Sequence, residues 1–444
     1  MRIEIDIHPT ATTNHEFREV RLSVPGIREP FLLDLNASQL LRKSRIVPAG
    51  PMDLLFIASV VYGIDKAVDR DHAEDRWTRE LSVIIPVSDP RRWSAVEGEM
   101  SECLSFLTGD IWDVQFSRLD HPLICPRPRQ RARKLPRMQG NAVSLFSGGL
   151  DSFIGAIDWL YKNPDRHLHL VGHYDRHVPG PLSDQEALAT RLRQQFPKRF
   201  DSVHVQVGLR EKGADTNFRS RSFLFLALAV YVAEKLGPDV PVFIPENGPI
   251  ALNIPLIPTR RGSCSTRTAH PYFLSSFNGI LQATGFDHEI SNPYQFRTKG
   301  EMVNGCAVPT LLAAHVERSL SCAKSGHTYH WENDTARGCG RCVPCLFRRA
   351  SLYGAGLDNE LYGYDVCASN MTRERLNEDT LALLAFLRRN PGRNEIARML
   401  MSNGPIALSQ IGDSVDVIIR LIDEMREFFR AKASVLVREL AGIA

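Results

Sequence analysis

Ala142-Val143-Ser144-Leu145-Phe146-Ser147-Gly148-Gly149-Leu150-Asp151-Ser152 begins as an apolar run of strand length and ends in a turn of small residues. The residues from Asp151 through Phe153-Ile154-Gly155-Ala156 have helical spacing. Two adjacent glycines let the backbone turn with φ > 0 and no Cβ in the way, so that its N–H groups face inward. The helix that starts there adds unpaired amides and the positive end of its dipole. Strand, small-residue turn and helix start together read as a phosphate cradle on an α/β sheet. The plainer reading is a Gly-Gly strand–helix turn that binds nothing. No Lys follows within the turn, and the Gly-x-Gly-x-x-Gly spacing of dinucleotide sites is missing.

Downstream, strand and helix patterns alternate. Residues 167–173 predict a second strand, and 183–195 an amphipathic helix with Ser183 as N-cap and Glu186 as its reciprocal partner. Residues 202–207 predict a third strand, and 223–236 a helix ending at Gly237. A fourth strand, 240–245, carries a proline near each end. Such alternation makes a doubly wound parallel sheet, whose ligands sit at the carboxyl ends of the strands. Ser147, His173, Glu246 and Asn247 fall at that edge.

Upstream, residues 1–125 read as a β-rich α+β domain, with strands at 1–7, 18–24, 81–86 and 112–116 and a helix over 54–62. The segment 126–139 is basic and punctuated by proline, the pattern of a linker. It reads as a solvated tether or as a contact for RNA, phosphate or an acidic partner, with the tether favoured. Residues 140–350 form the sheet domain, and 351–444 a helical domain with a break at Asn403-Gly404-Pro405. That last region suits packing, self-association or partner docking.

Composition limits the function classes. A chain of 444 residues exceeds one ordinary core, and 43% hydrophobic with 24% charged residues is the balance of a water-soluble globular protein. A net charge of +3 does not announce a nucleic-acid binder. No run approaches the ~18 apolar residues that span a bilayer, and the N-terminus reads as a strand, so a cytoplasmic protein with no membrane contact is expected.

Nine cysteines, unevenly placed, argue against a disulfide framework. Cys339-Gly340-Arg341-Cys342-Val343-Pro344-Cys345 spaces three thiols at two-residue intervals, and Cys322 lies upstream across a loop holding His327 and His330. Overlapping Cys-x-x-Cys turns aim their sulfurs at one point, and a distant fourth ligand closes a tetrahedron. A structural Zn²⁺ on Cys322, Cys339, Cys342 and Cys345 is the leading reading. A histidine in place of one sulfur, or an iron–sulfur cluster, stays open.

Ser-Gly-Gly-Leu-Asp-Ser resembles the PP-loop of the N-type ATP pyrophosphatases, which have an adenine nucleotide alpha hydrolase-like fold. Together with Cys322 and Cys-Gly-Arg-Cys-Val-Pro-Cys-Leu-Phe-Arg-Arg, it resembles the 7-cyano-7-deazaguanine synthase (QueC) family over residues 140–350. His173-Tyr174-Asp175-Arg176-His177 and Thr298-Lys299-Gly300-Glu301-Met302 are similar to further family segments. The enlarged ends look more like the QueC-like proteins of bacterial antiphage systems, the Qat group and type IV CBASS. The resemblance implies ATP-dependent adenylation of the carboxylate of 7-carboxy-7-deazaguanine and transfer to an amine, with an operon-encoded protein as acceptor. A free 7-cyano-7-deazaguanine synthase is the alternative. So is an RNA-thiolating enzyme, which would need Cys264 or Cys306, and so is a nucleotide-binding scaffold without activity.

Under this reading Ser147, Gly148, Gly149, Leu150, Asp151 and Ser152 hold the pyrophosphate of ATP, and Asp151 positions Mg²⁺. Lys299 neutralises developing phosphate charge and His173, or His177, takes a proton. Glu246 and Asn247 read the guanine-like edge. Of Arg219, Arg221, Arg260, Arg261 and Arg267, the two expected at substrate are Arg221 and Arg267.

Overall fold

A computed structural model describes residues 1–11, 17–36, 38–42, 49–124, 140–178, 180–215, 219–256, 267–325 and 328–443. The expected linker 126–139, together with Arg260, Arg261, Cys264, His327 and the His330 side chain, lies outside that description.

Among the described residues the strands are β1 (Arg2–Ala11), β2 (Arg18–Ser23), β3 (Phe31–Asn36), β4 (Glu80–Val87), β5 (Ile111–Arg118), β6 (Ala142–Leu145), β7 (Leu168–Tyr174), β8 (Phe200–Leu209), β9 (Val242–Phe243) and β10 (Ile290–Ser291). They form one mostly parallel sheet in the order β10-β9-β6-β7-β8-β3-β2-β1-β4-β5. From β10 to β8 every pair is parallel, and β6 sits between β7 on one side and β9 on the other. The chain therefore reverses its winding direction beside β6. Crevices at the carboxyl ends of strands open at such a reversal.

Alternate residues of the central strands feed two cores. Leu168 and Leu170 pack with the helix Leu150–Lys162, and Val171, Val203 and Val205 pack under the helix Arg221–Leu236. Covered on both faces, β6 is buried at all four of its residues.

The sheet does not stop where the expected N-terminal domain ends. β3 pairs antiparallel with β8, Leu33 opposite Leu209 and Leu35 opposite Val207. The helix Ala49–Ala67 then lies against Arg221–Leu236 in the same hydrophobic core. Residues 1–124 thus extend the sheet domain instead of standing apart from it. Local patterning identifies a strand but carries nothing about whose edge the strand will join.

Two local expectations need correction. The helix Pro181–Gln195 starts at Gly180 with no side-chain cap, because Pro181 occupies its first turn, and Ser183 Oγ donates to the Gly180 carbonyl at 2.8 Å instead. β9 is only two residues long, since Pro241 and Pro245 have no N–H for the ladder. The helical domain ends in Leu408–Lys432 and Val435–Ala441, with Ser434 capping the second of these. Among the described residues no helix is long and apolar enough to cross a membrane.

Candidate functional site

β6 is buried along its whole length and emerges at Ser147. Gly148 takes φ 84°, and a Cβ there would stand 3.1 Å from the Asp184 Cβ. Only the first glycine adopts the left-handed conformation. Gly149 has φ −83° and ψ 166° and serves as the N-cap of Leu150–Lys162, where no side chain caps the helix. The first amides of that helix and its positive dipole end therefore face the turn. The Ser147 and Ser152 hydroxyls lie 3.3 Å apart, and Ser152 Oγ donates to the Gly149 carbonyl at 3.0 Å.

Asp151, in the first turn, is 5% exposed. Its Oδ2 accepts from the Asn247 backbone N–H at 3.1 Å and from Asn247 Nδ2 at 2.6 Å, and its Oδ1 pairs with Lys299 Nζ. Burial alone would raise this carboxyl, but the Lys299 charge and hydrogen bonds from Glu246, Lys299 and Asn247 hold it below its ordinary pKa. Glu246 goes the other way: burial and the Asp151 charge push it well above the usual carboxylate range. Burial and the Asp151 charge thus favour the neutral form of Glu246, hydrogen-bonded to Asp151. In its neutral form Glu246 can donate a hydrogen bond, whereas pairing with a guanine-like edge would need its carboxylate.

Each partner is positioned from its own element. Asn247 caps the helix Gly248–Leu252 with Oδ1, which leaves Nδ2 for Asp151. Asn292, just past β10, grips the Glu246 backbone through both amide atoms, at 2.7 and 3.3 Å. Lys299 opens the helix Lys299–Asn304 behind a Thr298–Glu301 capping box, and Thr298 Oγ1 also donates to Glu424 of Leu408–Lys432. In this arrangement Lys299 and Asn247 engage both Asp151 oxygens, so Asp151 would meet the expected Mg²⁺ only once Lys299 turns away.

His173 lies apart from that cluster. It is wholly buried at the end of β7, with Nε2 2.9 Å from the Val207 carbonyl oxygen and Nδ1 accepting from Arg221 Nε at 3.2 Å. Burial and the Arg221 charge pull its pKa down to about 3. Both ring nitrogens are engaged, so nothing about the ring is arranged to take a substrate proton. Arg221 is committed to His173, whose carbonyl also accepts from Gln185 Nε2 at 3.1 Å. Gln185 reaches the Ser147 carbonyl as well, at 3.4 Å, and so ties the turn to β7. Arg267 is elsewhere: its Nη1 donates to the Phe106 carbonyl at 2.6 Å and its guanidinium stacks on the Phe106 ring.

Lys66 makes a buried ion pair that motif reading missed. It reaches from the end of Ala49–Ala67 to pair with Asp175 immediately after β7, where Tyr62 Oη donates to the same carboxylate at 3.2 Å. A lysine in the last turn of a mostly apolar helix was the available signal. Asn292, Gln185 and Glu424 had none, because their partners are distant in sequence.

The four thiols of Cys322, Cys339, Cys342 and Cys345 converge into a group that could hold a metal such as zinc. Sγ–Sγ separations of 4.0 Å (Cys322–Cys342) and 3.9 Å (Cys339–Cys345) approach the ~3.8 Å edge of a tetrahedron with ~2.3 Å metal–sulfur bonds. Backbone N–H groups of Lys324 and Cys339 donate to the Cys322 sulfur, each at 3.3 Å, and that of Cys342 donates to Cys339 at 3.3 Å. Gly340 makes the knuckle possible with φ 78°, since a Cβ would overlap the Tyr364 carbonyl.

This cluster is wired to the turn. Leu320, two residues before Cys322, donates its N–H to the Gly148 carbonyl at 3.0 Å. Arg348, one turn past Cys345, holds Ser319 Oγ at 2.9 Å and the Val316 carbonyl at 2.8 Å. Arg337, just before Cys339, pairs with Asp184 beside Gly148. Cys306 is buried in the sheet core and its thiol is pushed up to about 11, which makes it a poor nucleophile. No protein-family model matches this chain, and no curated protein matches it either.

Proposed function

We propose that the chain is an ATP-dependent enzyme of the PP-loop kind, with an adenine nucleotide alpha hydrolase-like fold. In this reading it activates the carboxylate of a 7-deazaguanine as an acyl adenylate and passes it to an amine. The observation that carries the proposal is the turn at residues 147–152, beside the winding reversal of the sheet, with Asp151, Glu246, Asn247 and Lys299 gathered behind it.

The chemistry follows from those groups. A carboxylate is a poor electrophile, so its oxygen attacks the α-phosphorus of ATP, the α–β bridging bond breaks, and pyrophosphate leaves. The Gly148–Gly149 turn and the uncapped helix start present amides to the departing phosphates. When ATP binds, Lys299 is the cation able to turn from Asp151 to the phosphates. The Glu246 proton then compensates the carboxylate that Lys299 leaves. An amine next attacks the acyl carbon, an amide forms, AMP departs, and the amine loses a proton. Zinc on the four thiolates supplies a fixed crosslink that keeps the 319–322 segment against Gly148; with four protein ligands it has no open position. The resemblance to antiphage proteins favours an amine on a partner protein as acceptor. The poorly nucleophilic Cys306 weighs against thiolation.

The test is to incubate the chain with ATP, 7-carboxy-7-deazaguanine and its operon partners, then to follow AMP and pyrophosphate together with intact masses. AMP formation that depends on the deazaguanine, and is lost in Asp151→Asn, is expected. A mass adduct on a partner identifies a protein acceptor, whereas free amide or nitrile identifies ammonia. No AMP under any of these conditions refutes the proposal.

A further inference from the structure

A second cluster of metal-ligand side chains lies at the opposite end of the sheet from the turn. His167 immediately precedes β7, His169 is its second residue, and Asp201 of β8 stands in register with His169. Residues two apart on a strand share a face, and so do register partners. All three side chains therefore rise from one side of the sheet. His167 Nε2 lies 3.4 Å and His169 Nε2 3.9 Å from Asp201 Oδ2, and one ligand atom from each residue falls within 4.8 Å of the others.

The surroundings hold these groups in place. His169 is 1% exposed, and Gly140 lies against its ring so closely that a Cβ would come within 2.6 Å of Cδ2. His167 is pinned through its backbone by Asn141, which accepts its N–H at 2.9 Å and donates to its carbonyl at 2.8 Å. The His167 Nε2 atom is shielded from water and makes no hydrogen bond.

We propose that His167, His169 and Asp201 form an exchangeable site for a divalent transition metal of the zinc class, separate from the four-thiol cluster. Two imidazoles and one carboxylate suit Zn²⁺ or Co²⁺, whereas Mg²⁺ and Ca²⁺ prefer all-oxygen shells. Ligand atoms on a tetrahedral ion with ~2.0 Å bonds stand about 3.3 Å apart, so the 3.4 Å separation already suits an ion, and side-chain rotations would draw the wider ones in. Three protein ligands leave a fourth position open to water or to an incoming donor. That openness, and the accessibility of Asp201, make this metal exchangeable where the four-thiolate metal is not. The site stands independently of the proposed ATP chemistry.

The full-length chain, washed with a mild chelator that spares the thiolate metal, is titrated with Zn²⁺ and with Co²⁺, and bound metal per chain is counted. A second equivalent is expected, and its Co²⁺ spectrum should show d–d bands without a sulfur-to-metal charge-transfer band. His167→Ala and Asp201→Asn, both at partly exposed positions, should each weaken it by about tenfold or more with circular dichroism and melting temperature unchanged. The proposal is overturned if metal content stays at the thiolate equivalent alone. It is equally overturned if the second equivalent binds both variants as tightly as the parent.

Discussion

Asp151 and Lys299 face each other with side chains only 6% and 5% exposed, and Glu246 stands close enough to share a proton with Asp151. A buried ammonium without a counter-ion costs about 3–5 kcal/mol. Two carboxyls are available to Lys299, so the loss of one is cushioned by the other. Asp151→Asn alone should therefore cost well under that figure, because Glu246 gives up its proton and becomes the partner. Asp151→Asn combined with Glu246→Gln should lose about 3–5 kcal/mol, as neither amide can be charged. Denaturant unfolding of the parent, both single variants and the double variant measures this, and simple additivity of the two single losses would refute a shared role. The same sharing explains why reading Glu246 as a plain acceptor overlooked its charge state.

The helix Lys299–Asn304 has six residues, too short to persist alone, and depends on what grips its first turn. Besides the Thr298–Glu301 box, Glu424 accepts from Thr298 Oγ1 and from the Gly300 N–H, with Glu301 and Arg420 as the nearby charges. Burial raises Glu424 to about 7 from 4.5. A carboxyl raised in this way favours the folded state when protonated, so its contribution is full below pH 4.5 and is lost as pH rises through about 7. The parent should lose on the order of 2 kcal/mol between those limits from this group. Glu424→Gln should flatten that part of the stability–pH curve, matching the parent at pH 5 and exceeding it at pH 8. Thermal unfolding at several pH values measures the difference, and an unchanged slope in the variant would exclude Glu424 as its source.

At the scale of the whole molecule, one sheet joins parts of the chain that composition separates. β3 covers the edge of β8, and Ala49–Ala67 covers the helix Arg221–Leu236, which is buried along nearly its whole length. Removing residues 1–124 would expose a hydrogen-bonding edge and an apolar helix face together, a combination that favours aggregation. The truncated chain should be insoluble or molten, whereas a chain starting at residue 140 would fold normally if the N-terminal part were autonomous. Soluble yield, circular dichroism and a cooperative melt distinguish the two outcomes. The C-terminal helices form a core with Leu252, Ile254, Leu256, Leu346 and Phe347, and Glu424 reaches Thr298 from it, so the site draws on both ends of the chain.

The sequence by itself determined the features whose causes are local. A buried apolar strand running into Gly-Gly, a helix opening at Leu150, thiols at two-residue spacing and the start of the Lys299 helix all follow from interactions among near neighbours. Only the tertiary structure decided that Asp151 meets Lys299, 148 residues away, and Asn247, 96 residues away. It likewise decided that His173 is a buried packing residue, that Arg267 belongs to Phe106, and that His167 and His169 find Asp201. Charge state and pairing depend on which distant groups share a desolvated space, and that is settled when the sheet and its covering helices exclude water.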